Sequence, residues 1–470
     1  TLIKILYYHI RTLVTFVIAV FFLWNNLYLP KLQDHKMKRL FLTLFFLISI
    51  ANSAISQTFN TRKTDAFIEY IEANERAIGN VSIFKNGKEI YQRKFGDQEM
   101  NRSNDAYRIA SVTKLITATL ILKLIEEEKL TLNDSLVNYF PEIKQSNKIT
   151  IEQLLNHTSG LGDVNFRGKD PYWLQYRVYS PSELLQNIII EELLFEPGTD
   201  VSYSNSAYFL LGQILEKKYD LPYSEIVNQN ITKPLNLKTL KAGTDERNNI
   251  YPSLKYKNGN WDIMTEKFYE NSLAFGDITA STNDLNIFIN ALFDGKIISN
   301  KSLEMMKPKA NADFGLGMMK TPFYEISFLG HNGDISGSHT LLGYNEKDKT
   351  SIAININGNR NVKNDFYIGI LNSLYDAKIP YPIYLNDKIL NQYVGTYKCE
   401  NYPFPIKIYN EDGDLFGLGL DEGQIPFQLK VQDETHFTFH NLSATFIPEE
   451  CKMIFIENDQ VYTFYNPDLK

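Results

Sequence analysis

The stretch "RIASVTKLITATL", Arg108 to Leu120, joins a turn of small residues to an apolar helical pattern. Ser111 stands at the turn and Lys114 follows three residues later, so a helix that begins here places both on one face. Lys114 can then take the proton of the Ser111 hydroxyl, whose oxygen stands at the positive end of the helix. The apolar spacing from Leu115 to Ile125 predicts an amphipathic helix. The alternative is that Ser111 only caps this helix and Lys114 is solvated.

A second S-x-x-K occurs at Ser82 and Lys85, within "NVSIFKNGKEIYQRKFG". Alternating residues on either side of Asn86-Gly87 predict a β-hairpin there. In a strand, residues three apart point to opposite faces, so this lysine cannot reach its serine. The local pattern therefore separates the two copies and favours Ser111 as the reactive one.

The stretch "FEPGTDVSYSNSAYFLLGQILE" places Tyr203 and Asn205 on a loop just before an apolar helix. A phenol at Tyr203 can share or relay a proton with Lys114, and the Asn205 amide can hold a substrate carbonyl or the lysine itself. By itself, Tyr203 is equally explained as a packed loop tyrosine. A second Y-x-N, Tyr256 to Asn258, runs into Gly-Asn in a polar stretch and is predicted to be a turn.

In "FLGHNGDISGSHTLLGY", His331 and Gly333 lead into an alternating apolar run, which predicts a strand. Glycine allows a substrate backbone to approach closely, and the neighbouring N–H groups can serve as oxyanion donors. A single histidine beside glycines also fits a purely structural role. The motifs lie within a larger pattern of early strands, a helical middle and late strands, with helical stretches at 181–193, 206–218, 283–294 and 363–376. This order predicts an α+β fold, with a sheet made from both ends of the domain and an inserted helical lobe.

Together the three motifs resemble the serine β-lactamase and penicillin-binding-protein superfamily, in its class C-like branch with S-x-x-K, Y-x-N and K/H-x-G. The stretches "YRIASVTK", "ITIEQLLNHTSGL", "FEPGTDVSYSN" and "ASTNDLNIFINAL" extend the resemblance over roughly 310 residues. The resemblance implies an antiparallel sheet flanked by helices, as in β-lactamases and D,D-peptidases. It makes Ser111 the acylated nucleophile and Lys114 its activating partner.

By the same resemblance, the Tyr203 phenol takes the proton-transfer position, Asn205 orients the substrate, and the N–H groups of Ser111 and Asp334 form the oxyanion hole. Which of Lys114 and Tyr203 is the base stays open, because the two can titrate as a coupled pair. His157 in "HTSG" is expected to be structural and to hold a loop near the lobe junction. No metal or organic cofactor is implied.

By the resemblance, His331 occupies the place of the lysine in the family's K-T-G box. A fixed cation for a substrate carboxylate is thereby replaced by a group expected to titrate near neutrality. Asp334 adds negative charge beside the oxyanion hole unless its side chain points away. Both features weigh against an efficient class C β-lactamase and favour the peptidase and esterase branches.

The sequence outside this region predicts further segments. We expect a spurious upstream segment at 1–36, a signal peptide at 37–56 with the layout of "MKRLFLTLFFLISIANSAISQ", the hydrolase domain at 57–378, a proline-containing linker at 379–388 and an all-β domain at 389–470. The short alternating runs of the last segment predict a small barrel, similar to the lipocalin-like domain often appended to such hydrolases. A membrane anchor at 1–36 is the alternative for the first segment.

Residues 1–56 carry six basic residues and one acidic residue, so their removal changes the net charge from −7 to −12. Such a surface repels nucleic acid. Cys399 and Cys451 can form a disulfide in an exported chain or remain thiols. His436 and His440 are too far apart along a strand to chelate one metal ion.

The predicted protein is a periplasmic or secreted serine hydrolase, without stable membrane insertion after signal cleavage. It acts through an acyl-enzyme on a small-molecule or peptide substrate: a D-amino-acid peptide, a β-lactam or an ester. The alternative is a weakly active or inactive binding protein or sensor on the same fold.

Overall fold

A computed structural model of the chain describes the residues 61–96, 106–166, 170, 173–243, 250–264, 269–310, 312–335, 337–360 and 363–467. The predicted upstream segment and signal peptide lie outside these residues. Within the described part, no helix is long and apolar enough to cross a membrane. The described helices are α1 Thr61–Ala73, α2 Thr113–Glu126, α3 Ile151–Leu155, α4 Pro181–Ile190, α5 Asn205–Tyr219, α6 Tyr223–Val227, α7 Thr282–Phe293, α8 Asn300–Met306, α9 Lys363–Tyr375 and α10 Asp387–Leu390.

The first sheet is built from strands near both ends of the α/β region, which confirms the predicted α+β arrangement. Its order is β2-β1-β11-β10-β9-β8, and β5 joins β11 and carries β6 at its side. All the pairings along the main path are antiparallel. The strands are β1 Ala77–Lys85, β2 Lys88–Phe95, β5 Leu254–Lys257, β6 Asn260–Ile263, β8 Met319–Phe323, β9 Ile326–Ile335, β10 Ser338–Asn345 and β11 Thr350–Asn359.

The predicted hairpin at Asn86-Gly87 joins β1 to β2 and is confirmed. All β1 residues except the last are buried, because this strand is central and both of its faces are covered. The Ser82 hydroxyl faces α7, where Asn286 Nδ2 donates to it at 3.0 Å. Lys85 instead bonds the Asp348 carboxylate at 2.8 Å. The Ser82 and Lys85 side chains therefore bind different partners, Asn286 and Asp348, as their spacing in a strand predicts.

Helix α2 is buried on nearly every side rather than amphipathic. Its residues from Thr113 to Leu122 are all buried, since the helix lies between β9 and the helical lobe and packs against α5. A helix enclosed in this way needs apolar residues all round, which removes the one-sided pattern expected from the sequence. The polar side chains of α2, among them Lys114, are consequently buried inside the protein.

A three-stranded sheet, with the order β3-β7-β4, brings the segment before α2 to the centre of the molecule. Its strands are short: β3 Tyr107–Arg108, β4 Lys241–Ala242 and β7 Ile278–Ala280. Beyond β3, the Ile109 N–H donates to the Ile278 carbonyl at 3.1 Å. This small sheet therefore fixes the chain immediately before Ser111.

The C-terminal region forms an eight-stranded antiparallel sheet in sequence order, β12 to β19. Lys398 beside β12 and Tyr465 on β19 exchange two backbone hydrogen bonds of 2.9 Å, so the sheet nearly closes into the barrel-like form that the sequence predicts. Buried and partly exposed residues alternate along β14 and β17, because one face of each strand lines the barrel core. The structure shows no disulfide between Cys399 and Cys451, both of which it describes. The strands are β12 Gly395–Tyr397, β13 Ile406–Glu411, β14 Asp414–Gly419, β15 Phe427–Val431, β16 His436–Phe439, β17 Leu442–Ile447, β18 Lys452–Glu457 and β19 Gln460–Tyr465.

Two arginines attach the barrel to the first sheet. Arg76, just before β1, donates to the Asp414 carboxylate at 2.7 Å and to the Gly413 carbonyl at 2.8 Å. Arg360, just after β11, bonds the Asp412 carbonyl. Both arginines bind residues of the β13–β14 turn, so this turn connects the barrel to the first sheet.

Replacing Arg76 by alanine is expected to lower the free energy of unfolding by about 3 kcal/mol, because it breaks a buried ion pair. The buried Gly413 carbonyl also loses its donor. Denaturant titration measures the effect. Arg177→Ala is the matched control: Arg177 forms an exposed pair with Glu183, for which we expect about 0.5 kcal/mol. An equal decrease in the free energy of unfolding in the two variants would contradict a stabilising role for the buried pair of Arg76 and Asp414.

Candidate active site

Ser111 lies in a 3₁₀ turn, Ala110–Val112, that leads directly into α2. Ala110 has φ of +46°, in the left-handed region that a residue with a side chain rarely adopts. Val112 rather than Ser111 is the N-cap of α2, and no side chain caps this helix. The capping alternative for Ser111 is therefore wrong, and the turn leaves its hydroxyl directed to a different partner.

That partner is Lys114, whose side chain is 0% exposed. Its Nζ lies 2.9 Å from Ser111 Oγ and donates to the Phe275 carbonyl at 2.9 Å. Burial lowers the pKa of Lys114 to about 7, although the negative charge of Asp163 opposes the shift. A solvated lysine is excluded, and a large fraction of this amine is neutral at pH 7.

Tyr203 completes a contact group with these two residues. The Lys114 Nζ lies 4.9 Å from the centre of the Tyr203 ring. Burial raises the pKa of the Tyr203 phenol above its usual range, while its hydrogen bond with Ser111 opposes that rise. The phenol is therefore protonated at neutral pH, where the lowered pKa of Lys114 leaves part of that amine neutral.

His157 holds the loop that carries Tyr203. Its carbonyl accepts from the Ser202 N–H at 3.0 Å, and its Nδ1 accepts from the Ser204 N–H at 3.1 Å. The His157 and Tyr203 rings lie 4.5 Å apart. Burial keeps the pKa of His157 well below its usual value, so the ring is neutral and Nδ1 can accept. This geometry agrees with the loop-holding role expected from the sequence.

Gly333 on β9 lies against the turn that carries Ser111. A Cβ at this position would lie 2.1 Å from the Ile109 carbonyl oxygen and 3.0 Å from Ser111 N. Only glycine allows so close an approach of two backbones. The contact places the backbone of β9 beside the Ser111 N–H.

His331 is buried, with 2% of its surface exposed, and its Nδ1 lies 2.6 Å from the Asn332 carbonyl. Because a carbonyl only accepts, Nδ1 carries the proton in that bond. Burial, together with the charge of Lys114, lowers the pKa of His331 to about 3. The expectation that His331 titrates near neutrality is wrong: no charge is available at this position between pH 5 and 8.

Asp334 directs its carboxylate away to a surface ion group. Its Oδ1 lies 2.6 Å from His339 Nδ1 and accepts from Lys363 Nζ at 2.8 Å. Burial alone would raise the pKa of Asp334, but its hydrogen bonds with His339 and Lys363 outweigh burial and lower the pKa to about 2. The negative charge that the sequence places beside the site is thereby paired.

Asn205 is the first residue of α5 and is 6% exposed. Its Nδ2 lies 3.1 Å from Asp163 Oδ1 and 2.9 Å from Asp163 Oδ2. The Y-x-N motif predicts that the Asn205 amide holds a substrate carbonyl or Lys114. In the described residues Lys114 bonds Ser111 and Phe275 instead, while the Asn205 amide nitrogen is directed to Asp163.

A family model described as Beta-lactamase matches residues 64–374. The chain belongs to the beta-lactamase family. It is 27% identical over 294 residues to the putative penicillin-binding protein PbpX of Bacillus subtilis (strain 168), covering 61% of this chain and 72% of that protein. It is 26% identical over 382 residues to protein flp of Staphylococcus aureus (strain MRSA252), covering 76% of this chain and 70% of that protein.

Solved structures share the fold of this beta-lactamase family member. The D-amino acid amidase from Ochrobactrum anthropi SV3 complexed with D-phenylalanine has a TM-score of 0.60 at 22% identity, covering 67% of this chain and all of that chain. The octameric penicillin-binding protein homologue from Pyrococcus abyssi has a TM-score of 0.63 at 21% identity, with 86% and 99% covered. The resemblance found in the sequence motifs is confirmed.

Two groups of this beta-lactamase family site were absent from the sequence prediction. The Phe275 carbonyl belongs to a residue 161 positions from Lys114, and no local pattern marks it. Asp163 is the second residue after the quoted "HTSGL", so the motif lies close to Asp163 but does not include it. Among the described residues there is no cluster of His, Cys, Asp or Glu that could hold a metal ion.

In this beta-lactamase family site, Gly333→Ala is expected to slow the labelling of Ser111 by a fluorophosphonate about 100-fold, because the new Cβ displaces the Ser111 turn from β9. Time-resolved intact-protein mass spectrometry measures the rate. Gly162→Ala is the control, since a Cβ at Gly162 meets nothing within 4 Å. A Gly333→Ala variant labelled as fast as Gly162→Ala would show that the close approach is not needed.

Proposed function

We propose that this member of the beta-lactamase family hydrolyses amides or esters through an acyl-enzyme at Ser111. The family and its penicillin-binding-like relatives support the general activity of a serine hydrolase, an enzyme whose serine is acylated by the substrate. The observation that carries the assignment is the fully buried Lys114 amine 2.9 Å from Ser111 Oγ. A serine at neutral pH needs such a proton acceptor, and burial makes the amine one.

In the acylation step, neutral Lys114 takes the Ser111 proton as Oγ attacks the substrate carbonyl. The carbonyl oxygen becomes an oxyanion held by the backbone N–H groups of Ser111 and Asp334. The bond to the leaving amine or alcohol then breaks. Tyr203, protonated at neutral pH, donates the leaving-group proton and recovers one from Lys114.

In the deacylation step, water attacks the acyl carbon and gives one proton to the Tyr203 and Lys114 pair. The bond from the acyl carbon to Ser111 Oγ breaks, and Ser111 recovers the proton. The products are a carboxylic acid and the free enzyme, so the cycle needs no cofactor.

The charge around the site bears on the substrate. His331, at the K/H position of the K/H-x-G motif, is neutral, and the Lys363 ammonium is bonded to Asp334. Neither of these two positions therefore offers a fixed cation to a β-lactam carboxylate, which favours a D-amino-acid peptide, its amide or an ester. A similar fold carries the D-amino acid amidase activity named for one structural neighbour. We further propose that the chain is exported by its signal peptide and acts on a small-molecule or peptide substrate, not on nucleic acid.

The test is intact-protein mass spectrometry of the chain from Gln57 onward, with a fluorophosphonate and separately with a penicillin. We expect an adduct with the fluorophosphonate and slower or weaker acylation by the penicillin. Rapid, complete turnover of penicillin would contradict the substrate assignment. Folded protein that forms no adduct with either reagent would replace the hydrolase with the binding protein or sensor.

A further inference from the structure

Thr117 continues the line of side chains that Ser111 and Lys114 begin. Helical residues three positions apart lie above one another, so these three side chains face the same side of α2. Thr117 is 0% exposed, like Lys114. A buried hydroxyl is costly without a hydrogen-bond partner, and the proposed reaction does not use this one. The partners of Thr117 therefore indicate what its hydroxyl does.

Thr117 binds the residue next to the one that binds Lys114. Its Oγ1 donates to the Ala274 carbonyl at 2.7 Å. One helical turn earlier, Lys114 Nζ donates to the Phe275 carbonyl at 2.9 Å. Both carbonyls belong to residues 274–278, which lead into β7 and are called the 274–278 segment. Two neighbouring carbonyls of this segment are thus bound by two neighbouring side chains of one helix face.

Other contacts hold the rest of the 274–278 segment. The Ile278 N–H donates to Thr113 Oγ1, also on α2, at 3.3 Å. Asp277 Oδ1 accepts from the Ala274 N–H at 2.9 Å and closes the segment into a turn. Because contacts lie on both sides of it, the carbonyl that receives the lysine N–H has a fixed direction.

Tyr223, the first residue of α6, determines the direction of the Thr117 hydrogen bond. It is 1% exposed, and its hydroxyl lies 2.7 Å from Thr117 Oγ1. A carbonyl only accepts, so the single Thr117 proton goes to Ala274, and Tyr223 donates to Thr117. The Thr113 carbonyl, 3.3 Å from Thr117 Oγ1, is the more distant acceptor. Burial raises the pKa of the Tyr223 phenol well above its usual value, so Tyr223 keeps this proton at neutral pH.

Ala274 has a backbone conformation that depends on these contacts. Its φ is +65°, in the left-handed region that a residue with a side chain rarely adopts. Its Cβ packs against α5, where a Cβ at Gly212 would lie 2.3 Å from it. Such a conformation persists only when the surrounding structure determines it. Loss of the Thr117 hydrogen bond should therefore allow the 274–278 segment to relax and its carbonyls to turn.

We infer that Thr117 is a positioning residue for the proposed acyl transfer, because it fixes the rotation of the Lys114 amine toward Ser111. It acts through the 274–278 segment, whose Phe275 carbonyl holds one N–H of that amine. The inference rests on the proposed function, in which the neutral amine takes the serine proton. A neutral amine has two N–H groups and one lone pair. With one N–H held by Phe275, the lone pair has few directions left, and one of them meets the hydroxyl 2.9 Å away.

The first experiment compares Thr117→Val with Thr119→Val on the full chain. Both substitutions remove a fully buried threonine hydroxyl from α2, but Thr119 Oγ1 donates to the Leu115 carbonyl of the same helix at 2.7 Å. We expect Thr117→Val to slow the fluorophosphonate labelling of Ser111 about tenfold, and Thr119→Val to leave the rate unchanged. Equal rates in the two variants would overturn the inference.

Two further variants of Thr117 support this comparison. Thr117→Ser keeps the hydroxyl and should restore the wild-type labelling rate. Thr117→Cys has only a weak S–H donor and should give an intermediate rate, so it replaces Thr117→Val if that variant does not fold. A serine variant as slow as Thr117→Val would overturn the role of the hydroxyl.

The pH profile of the labelling rate separates positioning from a general loss of structure. The rate follows the neutral Lys114 amine and falls as the pH decreases. A carbonyl that accepts from the charged amine favours the charged form, so a displaced Phe275 carbonyl should lower the pKa of Lys114. We therefore expect Thr117→Val to lower the plateau and to move the fall in rate to lower pH. A lower plateau with an unmoved fall would overturn the positioning role. The substitution leaves in place the other ionisable groups around the amine and the segment: Tyr203, His157, His331, Asp163 and Asp277.

A second measurement tests the contact without the reaction. NMR titration of protein with isotope-labelled lysine Cε atoms gives the pKa of Lys114, and the signal missing from Lys114→Met identifies that residue. We expect a lower pKa of Lys114 in Thr117→Val and an unchanged one in Thr119→Val. If the wild type is never labelled by the fluorophosphonate but this difference is found, the hydrolase fails and the positioning contact stands. An equal pKa of Lys114 in the two variants overturns the inference even in an active enzyme.

Discussion

Ser111→Ala is expected to abolish covalent labelling by a fluorophosphonate and to lower kcat by about a thousandfold or more. The alanine leaves no atom to attack the substrate carbonyl, and neither Lys114 nor Tyr203 can replace it as an acylated group in the same position. Intact-protein mass spectrometry shows the loss of the adduct, and a p-nitrophenyl ester assay measures the loss of turnover.

Ser82→Ala is the matched control for Ser111→Ala, because Ser82 begins the other S-x-x-K. Its hydroxyl is buried against Asn286, and its lysine bonds Asp348 on the far side of the strand. We expect this variant to keep the adduct at the wild-type labelling rate. Labelling that survives in Ser111→Ala but disappears in Ser82→Ala would show that Ser82, and not Ser111, is the nucleophile.

Lys114→Met is expected to lower kcat/KM by about a thousandfold, because it removes the proton acceptor and keeps a side chain of similar length. In the wild type, the rate should follow the neutral amine. It should fall as pH decreases through an apparent pKa of about 7 and reach a plateau at higher pH. A pH profile of kcat/KM between pH 5 and 9 measures this limb.

Asp277 is the group that could imitate this limb, since burial raises the pKa of Asp277 to about 7 as well. Its Oδ1 accepts from the Ala274 N–H, in the loop that gives Phe275 to Lys114. Asp277→Asn should therefore keep the acidic limb, even where the altered loop changes the plateau rate. A limb that vanishes in Asp277→Asn would contradict the assignment to Lys114.

The same group makes stability depend on pH. In the unfolded chain Lys114 keeps its proton up to a pKa near 10.5, whereas the folded protein releases it near 7. Between these values the unfolded state binds more protons, so the free energy of unfolding should rise with pH in this window. Lys114→Met should lack this part of the rise. Urea titrations at pH 7 and pH 9.5 provide the comparison and also show that the inactive variant is folded.

Local sequence patterns predict the structure correctly where the relative position of two side chains depends only on their spacing within one helix or strand. The helical spacing of Ser111 and Lys114 predicted their contact, and the strand spacing of Ser82 and Lys85 predicted their separation. The alternating runs after residue 389 predicted the barrel. Each of these is a property of one element, which the sequence of that element determines.

The other features of the site depend on contacts between segments that are far apart in the sequence. Burial in the surrounding core, together with the charge of Lys114, lowers the pKa of His331, and a His-x-Gly motif does not predict that burial. The Phe275 carbonyl and the Asp163 carboxylate reach the site through loops far from the three motifs. Burial of α2 on all sides likewise depends on which elements pack against it.

The pairing of β1 with β11 sets an order on synthesis and folding. Val81 lies opposite Ile354, so the first strand of the central sheet waits for a partner made some 270 residues later. During synthesis, the residues of α2 and Ser111 are made while the strands β8 to β11 are still missing. Pairings of such long range are slow, and an exposed strand in the interval is open to wrong partners. A chain that ends before β11 therefore contains every residue of the nucleophile motif but lacks the strand that pairs with β1 in the central sheet.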